Sequence, residues 1–426
     1  MKKMFVLVFA CVMMFALTAQ AADKVTLKMF SYQDLTDKVA MANWQKVLDG
    51  FKKANPDIEL EIEYLTNEPY HNKLQTMSVA GQLPDVMFLW PDKRTGYVTG
   101  AAKIKDLRPW LKGHEAEFVA GALKAQGKGG EIYELPEQMT ATHVMYANEK
   151  LMKQLGLTFP KTMDELLAQG EKIRAAKLIP IAMSNKDGWQ MQSCLLSALT
   201  ERAGGMEWYD KALKGAGASF ADAEFINALT VIDTLSKKQM FMPGVNQADY
   251  GSELTAFVNE KAVYMIDGGW RVTNLVGELK PELKEFISLN TFPAIPNQKG
   301  QAGSTATVAG TGYGMNATLD GAKAEAAWKW IWFYSGPEGS KIRQANGQIP
   351  ACKVAAPEGL DPLIGKLAKF VMTTPAGYVL DSVLDGEGMG VLQPAIQEMI
   401  LGAKTPEQVA KEYETWVAAK DSNRKK

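Results

Sequence analysis

The sequence predicts an α/β protein of two domains, and three observations predict it. Strand-like and helix-like segments alternate from the start of the mature region, the alternation resumes beyond Tyr146, and 426 residues exceed what one ordinary core holds. "KVTLKMF", residues 24 to 30, alternates apolar and polar side chains as a half-buried strand does. "DLTDKVAMANWQKVLDGFKKANP" then carries apolar residues at helical spacing until Pro56 stops it. In "DIELEIEYL", Leu60, Ile62 and Tyr64 share one face and Glu59, Glu61 and Glu63 the other, which is a strand by period two. A helix through Tyr70 to Val79 leads to "VMFLW", Val86 to Trp90, too short for a helix and apolar enough for a buried strand. The order β, α, β, α, β predicts a mostly parallel sheet flanked by helices, with right-handed crossovers.

Later segments follow the same grammar. Loops stand at "NKDGW", "KGAGAS" and the Gly- and Thr-rich "GSTATVAGTGYGMN". The helix "DGAKAEAAWKWIWFYS" places Trp328 and Trp332 four apart on one face, expected to pack into a core. "TPEQVAKEYETWVAAK" is a last amphipathic helix capped by Thr405, with Glu407 in its first turn.

The first residues set the compartment. Lys2 and Lys3 precede an uncharged run from Met4 to Leu17, then an A-x-A site at Ala19, Gln20 and Ala21, so residues 1–21 are expected to be a signal peptide cleaved after Ala21. Cys11 lies inside the apolar run and is read as part of it, which favours a soluble periplasmic product over a lipid-anchored one. Of 47 basic residues only Lys2 and Lys3 are lost, leaving 45 against 48 acidic ones, and this balance gives no field to attract nucleic acid. Cys194 and Cys352 remain, and the sequence leaves open whether they form a disulfide. His71, His114 and His143 have no ligand spacing, so no metal and no cofactor is expected.

Catalytic signatures are missing from the text of the chain: no G-x-S-x-G, no H-E-x-x-H, no C-x-x-C, and "GTGYG" lacks the Lys-Ser/Thr of a P-loop. Two carboxylates placed by a fold would suffice for a glycosidase, so an exported carbohydrate-active hydrolase stays open as the alternative. Three tryptophans stand where strands end: Trp90 closes "VMFLW", Trp189 follows "LIPIAM" in "NKDGWQ", and Trp270 follows "AVYMIDGG". Ligands of open α/β sheets bind at the carboxyl ends of strands, and an indole face covers the C–H face of a pyranose while polar neighbours bind its hydroxyls.

These residues resemble a known family, the sugar-binding subunits of bacterial ABC importers, the family-one extracellular solute-binding proteins to which maltose-binding protein belongs. "NPDIELEIEYLTNEPYHNKLQTMSVAGQLPDVMFLW", "AFVNEKAVYMIDGGW", "SGPEGSKIRQANGQIPA" and "LGAKTPEQVAKEYE" carry the likeness across nearly the whole mature chain. The resemblance implies a two-lobed periplasmic binding protein of class II type, with the ligand cleft between the lobes. The crossings are expected near Thr140 to Met145, Asn290 to Phe292 and Ser335 to Gly336, giving lobes of residues 22–140 with 292–335 and 141–291 with 336–426. It implies that Trp270 stacks on a sugar, that Trp90 and Asp92 serve the first lobe's half-site and Trp189 the second's. Polar contacts are expected from Tyr32, Gln33, Glu68, Gln138, Arg271, Thr311 and Asp385. A mono- or oligosaccharide, an ABC permease and a monomeric state follow from the same resemblance, as does a non-enzymatic role; a receptor for polyamines or another small solute would share the architecture.

Overall fold

The structure is a computed structural model that describes residues 24–420 apart from 125, 126, 128, 302, 376 and 385, so the expected cleavage site at Ala21 and the site candidate Asp385 lie outside it. Strand β1 (Val25–Tyr32) pairs in parallel with β2 (Ile58–Leu65) along its whole length, and Met29 and Phe30 pair in parallel with β3 (Val86–Leu89). Helix α1 (Lys38–Ala54) begins where the Asp37 carboxylate accepts the Ala40 amide at 2.8 Å, buries Trp44, Val47 and Phe51, and ends at Asn55, because the residue before a proline avoids helical geometry. Helix α2 (Asn67–Ala80) ends on Gly81 at φ 68, a left-handed cap that suits glycine.

The large sheet of each lobe is mixed, and the direction of each strand follows from where the chain comes from. In the first lobe the order is β2, β1, β3, β11 (Gly312–Met315), β4 (Leu135–Pro136); in the second it is β7 (Ile179–Ala182), β8 (Ala262–Asp267), β6 (Val144–Asn148), β9 (Ile287–Asn290). Strands inside β–α–β units run toward the junction of the lobes and pair in parallel. β6 and β11 arrive from the opposite lobe, start at the junction and run away from it, so β6 lies antiparallel to β8 and β9, and β11 antiparallel to β3 and β4.

The lobes have separate cores. Leu27, Phe30, Val86, Leu89, Tyr313 and Trp330 belong to the first; Met145, Ile181, Leu199, Ile232 and Ile266 belong to the second, with a further apolar cluster around Met265, Leu275 and Leu367. Cys194 sits in the second core and Cys352 in the first, and no disulfide joins them. Trp328 and Trp332 stack on each other at 5.7 Å and pack on the outer side of the first core against Trp110, His114 and Phe118. Trp330, two residues from each and on the opposite helix face, is the one that is fully buried. Thr405 caps the helix Pro406–Lys420 as expected, reciprocally with Gln408.

Two crossings pair with each other. β5 (Met139–Ala141) runs antiparallel to β10 (Thr307–Ala309), and just beyond it His143 Nδ1 accepts the Ala306 amide at 3.2 Å while Thr305 Oγ1 donates to the His143 carbonyl at 2.9 Å. Burial, with the Arg202 charge beside it, pushes His143 down to about 3, so the ring is a neutral acceptor. The other boundaries fall later than the sequence places them. Phe292 and Ile295 pack in the second core, and the helix Pro337–Ala345 packs on α1 while Ala351 and Cys352 enter the first core. Ser335–Gly336 thus lies within the first lobe's helical layer, and the chain next joins the second lobe's core at Leu363. A helix-to-helix turn and a lobe crossing use the same glycine and proline residues, so local sequence does not distinguish them.

Candidate functional site

The second lobe's half of the junction is organised by the end of β8. Asp267, the last strand residue, accepts the Gly268 amide and Arg271 Nε, each at 2.7 Å. Gly269 donates its amide to Ala141 of β5 at 2.6 Å; a Cβ there would lie 2.8 Å from Leu367 Cδ1 and 3.1 Å from Thr140 Oγ1. A Cβ on Gly268 would lie 2.3 Å from the six-membered ring of Trp270. The two glycines therefore let the turn press onto a crossing strand and let the indole fold back over its own backbone. Trp270 then opens the helix Arg271–Glu278, half-buried, with one side against the second core.

Trp189 stands beside it, also half-buried, its ring centroid 6.1 Å from that of Trp270 with the planes inclined at 48°. Tyr250 touches both: the Trp270 Nε1–H donates to its hydroxyl at 2.6 Å, and its ring meets Trp189 edge-on at 4.9 Å. Beneath them Arg271 is 2% exposed, and its described hydrogen bonds run to Asp267, to Glu253 and to the Tyr250 carbonyl. The expected polar contact from Arg271 thus sits a layer below the junction. One guanidinium faces two fully buried carboxylates, and burial raises both acids, Glu253 to about 7, with Arg271 opposing the rise.

The first lobe's half gathers Tyr32, Glu68 and Trp90 at the exits of β1, β2 and β3. Tyr32 meets Trp90 edge-on at 4.8 Å, and His71 approaches the same indole at 4.6 Å. Arg94 donates from Nε to His71 Nε2 at 3.0 Å and from Nη2 to Glu68 at 3.2 Å, with its guanidinium 5.9 Å from the Trp90 ring. Burial, then the Arg94 charge, holds His71 well below the usual histidine range, consistent with a neutral ring accepting that bond. Gln33 follows Tyr32 and fixes the strand exit through its amide to Leu65 O at 3.1 Å. Asp92 begins the single turn Asp92–Thr95 after Trp90. Gln138 and Thr311, from two different crossings, are brought together by the buried Glu137, which accepts Gln138 Nε2 at 3.2 Å and Thr311 Oγ1 at 2.9 Å.

The halves are tied directly. Tyr32 donates to Asn67 Oδ1 at 2.9 Å, and Asn67 Nδ2 donates across the junction to Asp187 Oδ2 at 3.1 Å, two residues before Trp189. On another side, Asn274 Nδ2 reaches Asp37 Oδ2 at 2.8 Å. Sequence reasoning missed Tyr250, Glu253, His71, Arg94, Glu137 and Asn67 as members of this region. Only Asp187 carried a signal, its place in the "NKDGW" loop. Among the described residues no group of three or more His, Cys, Asp or Glu is placed to hold a metal ion.

Aromatic faces thus stand at strand ends in two lobes joined by crossing strands, and comparison with known proteins bears on this architecture. Residues 36–341, more than half of the chain, match the family model for bacterial extracellular solute-binding proteins. The chain belongs to that family. This solute-binding protein is 27% identical over 304 residues to the multiple sugar-binding protein of Streptococcus mutans serotype c; the match covers 66% of this chain and 65% of the relative, just under two thirds of its length. A structure from work on xylan utilization by the thermophilic bacterium Caldanaerobius polysaccharolyticus superposes with a TM-score of 0.84 at 20% identity, over 92% of this chain and 100% of that one. A chitin oligosaccharide binding protein gives 0.82 at 23% identity, over 92% and 98%. These structural likenesses establish the two-lobed α/β fold of the solute-binding protein, and no described helix is long and apolar enough to cross a membrane.

Proposed function

We propose that this solute-binding protein captures a neutral carbohydrate between its lobes and delivers it, unaltered, to the permease of a bacterial ABC importer. The observation that carries this reading is the pair of half-buried tryptophans, Trp189 and Trp270, facing the junction from one lobe while Trp90 and Tyr32 face it from the other. Apolar ring faces beside Gln, Asn, Asp and Glu side chains suit a pyranose, which is apolar on its C–H face and polar at its rim. The names of the relatives, sugar-binding in Streptococcus mutans and chitin oligosaccharide binding among the structures, support the same ligand class.

In this reading Trp270, Trp189, Trp90, Tyr32, Gln33, Glu68, Asp92 and Asp385 contact the sugar. Gln138 and Thr311, half-buried beside Glu137, add polar contacts to the sugar, and Arg271 acts one layer down, through the carboxylates of Asp267 and Glu253. The mature protein begins at Ala22, works as a monomer in the periplasm, and N-terminal sequencing of exported material tests the cleavage. A thermal-shift screen over mono- and oligosaccharides tests the binding, because a sugar at about 100 times its dissociation constant adds roughly 2.7 kcal/mol of stability. Recovery of the bound sugar intact by chromatography supports a receptor, and cleavage products would establish the hydrolase instead.

A further inference from the structure

Tyr250 belongs to neither strand end that carries the second lobe's tryptophans; it stands in the loop just before the helix Ser252–Val258. Yet its side chain is held on several sides. Its hydroxyl accepts the Trp270 indole N–H at 2.6 Å. The Arg271 guanidinium carbon lies 3.6 Å from the Tyr250 ring centroid, and Arg271 is itself fixed by Asp267 and Glu253. The free edge of the arrangement meets Trp189, at 4.9 Å and 61°.

The spacing of the two tryptophans says what such a fixed residue controls. A sugar ring clamped between two indoles needs the rings roughly 7 to 8 Å apart, twice the carbon–carbon contact distance. Trp189 and Trp270 are 6.1 Å apart and inclined at 48°, so they do not sandwich a pyranose but present adjoining faces whose mutual angle decides the fit. Single bonds at the base of two half-buried tryptophans would leave that angle loose, and ordering both rings on binding would cost affinity.

We propose that Tyr250 is the positioning residue of this platform: its hydroxyl and ring fix the angle between Trp270 and Trp189 before a sugar arrives. The inference rests on the reading that these two tryptophans receive the sugar. Burial keeps the phenol protonated far above neutral pH, so it accepts from Trp270 as a neutral hydroxyl. Tyr250→Phe retains the ring beside Trp189 and Arg271 and removes only the hydroxyl.

The test uses the mature protein, with maltose, raffinose and chitobiose as probes. In the sugar-free Tyr250→Phe protein the Trp270 indole N–H resonance, assigned through Trp270→Phe, should move upfield and exchange faster with solvent. Affinity for the probe that binds wild type best should fall about three- to tenfold, the worth of one hydrogen bond. Tyr250→Leu, which also removes the ring, should lose more. An unmoved indole resonance in Tyr250→Phe overturns the proposal. Trp270→Ala separates the two ideas: affinity retained there overturns the platform itself, whereas affinity lost there but retained in Tyr250→Phe overturns only the role of Tyr250.

Discussion

Gly268 lies directly beneath the indole of Trp270, close enough that a methyl group on it would sit 2.3 to 2.4 Å from three ring carbons. The backbone of one residue is thus the floor of the other. Gly268→Ala should push the indole off its seat, costing about 1 to 3 kcal/mol of stability as overpacking does, and weaken sugar binding alongside. Urea melts and calorimetric titration of the variant read both, and unchanged affinity would show that the seat of the ring is not what the sugar senses.

Trp270→Ala separates stacking from packing. Its ring is half-buried, so the sugar-free protein should lose less than the roughly 3 to 5 kcal/mol of a fully buried tryptophan. Sugar affinity should fall by about 1 to 3 kcal/mol, taking the loss of an aromatic stack under a nucleic-acid base as the guide. A large stability loss with affinity intact would make Trp270 a core residue only.

Trp330→Ala is the contrasting case. Trp330 is 0% exposed, edge-on to Phe51 at 5.0 Å and to Trp44 at 5.7 Å. Truncation should cost about 3 to 5 kcal/mol of stability while the folded fraction binds sugar as wild type does. Denaturant melts beside titration at low temperature check this.

The Asn67–Asp187 bond makes the coupling of the two lobes testable. Asn67 has φ 54, a left-handed conformation that asparagine tolerates better than alanine, and it relays Tyr32 of one half-site to the loop of Trp189 in the other. Asp187→Ala should weaken sugar binding by about 0.5 to 1.5 kcal/mol by loosening the closed state. Small-angle scattering should show a radius of gyration that shrinks with sugar in wild type and shrinks less in the variant; identical curves would argue against a latch.

Stability should also respond to pH through Glu253. Burial raises its folded pKa to about 7 and raises that of Asp267, while Arg271 and the Tyr250 ring face them both. The folded protein therefore holds more protons than the unfolded chain above the ordinary carboxyl range, roughly pH 4.5. This contribution is complete below that value and is lost as the pH rises through about 7. Urea midpoints from pH 5 to 8 should fall less steeply in Glu253→Gln than in wild type; parallel slopes would remove Glu253 as the cause.

The sequence by itself determined the elements and which tryptophans follow strand ends. Period-two alternation in Val25–Tyr32 and Ile58–Leu65, the helical spacing of Trp44, Val47 and Phe51, and the stop at Pro56 are local properties, set by backbone sterics and by which side of each element is apolar. The same locality made Trp90, Trp189 and Trp270 legible, since each follows a strand-like run by a few residues. Only the tertiary structure decided what depends on partners distant in sequence. It turned β6 and β11 antiparallel by bringing them in from the opposite lobe, carried the first lobe past Ser335–Gly336 to Cys352, and gave Trp330 rather than Trp328 or Trp332 the buried place. It likewise drew Arg271 under the tryptophans to meet Glu253, 18 residues away, and set Tyr250, 20 residues from Trp270, against both rings. A buried charge must find its counter-charge and an indole N–H its acceptor, but the need names only the chemistry of the partner. Which residue satisfies it is fixed when the loops close in space.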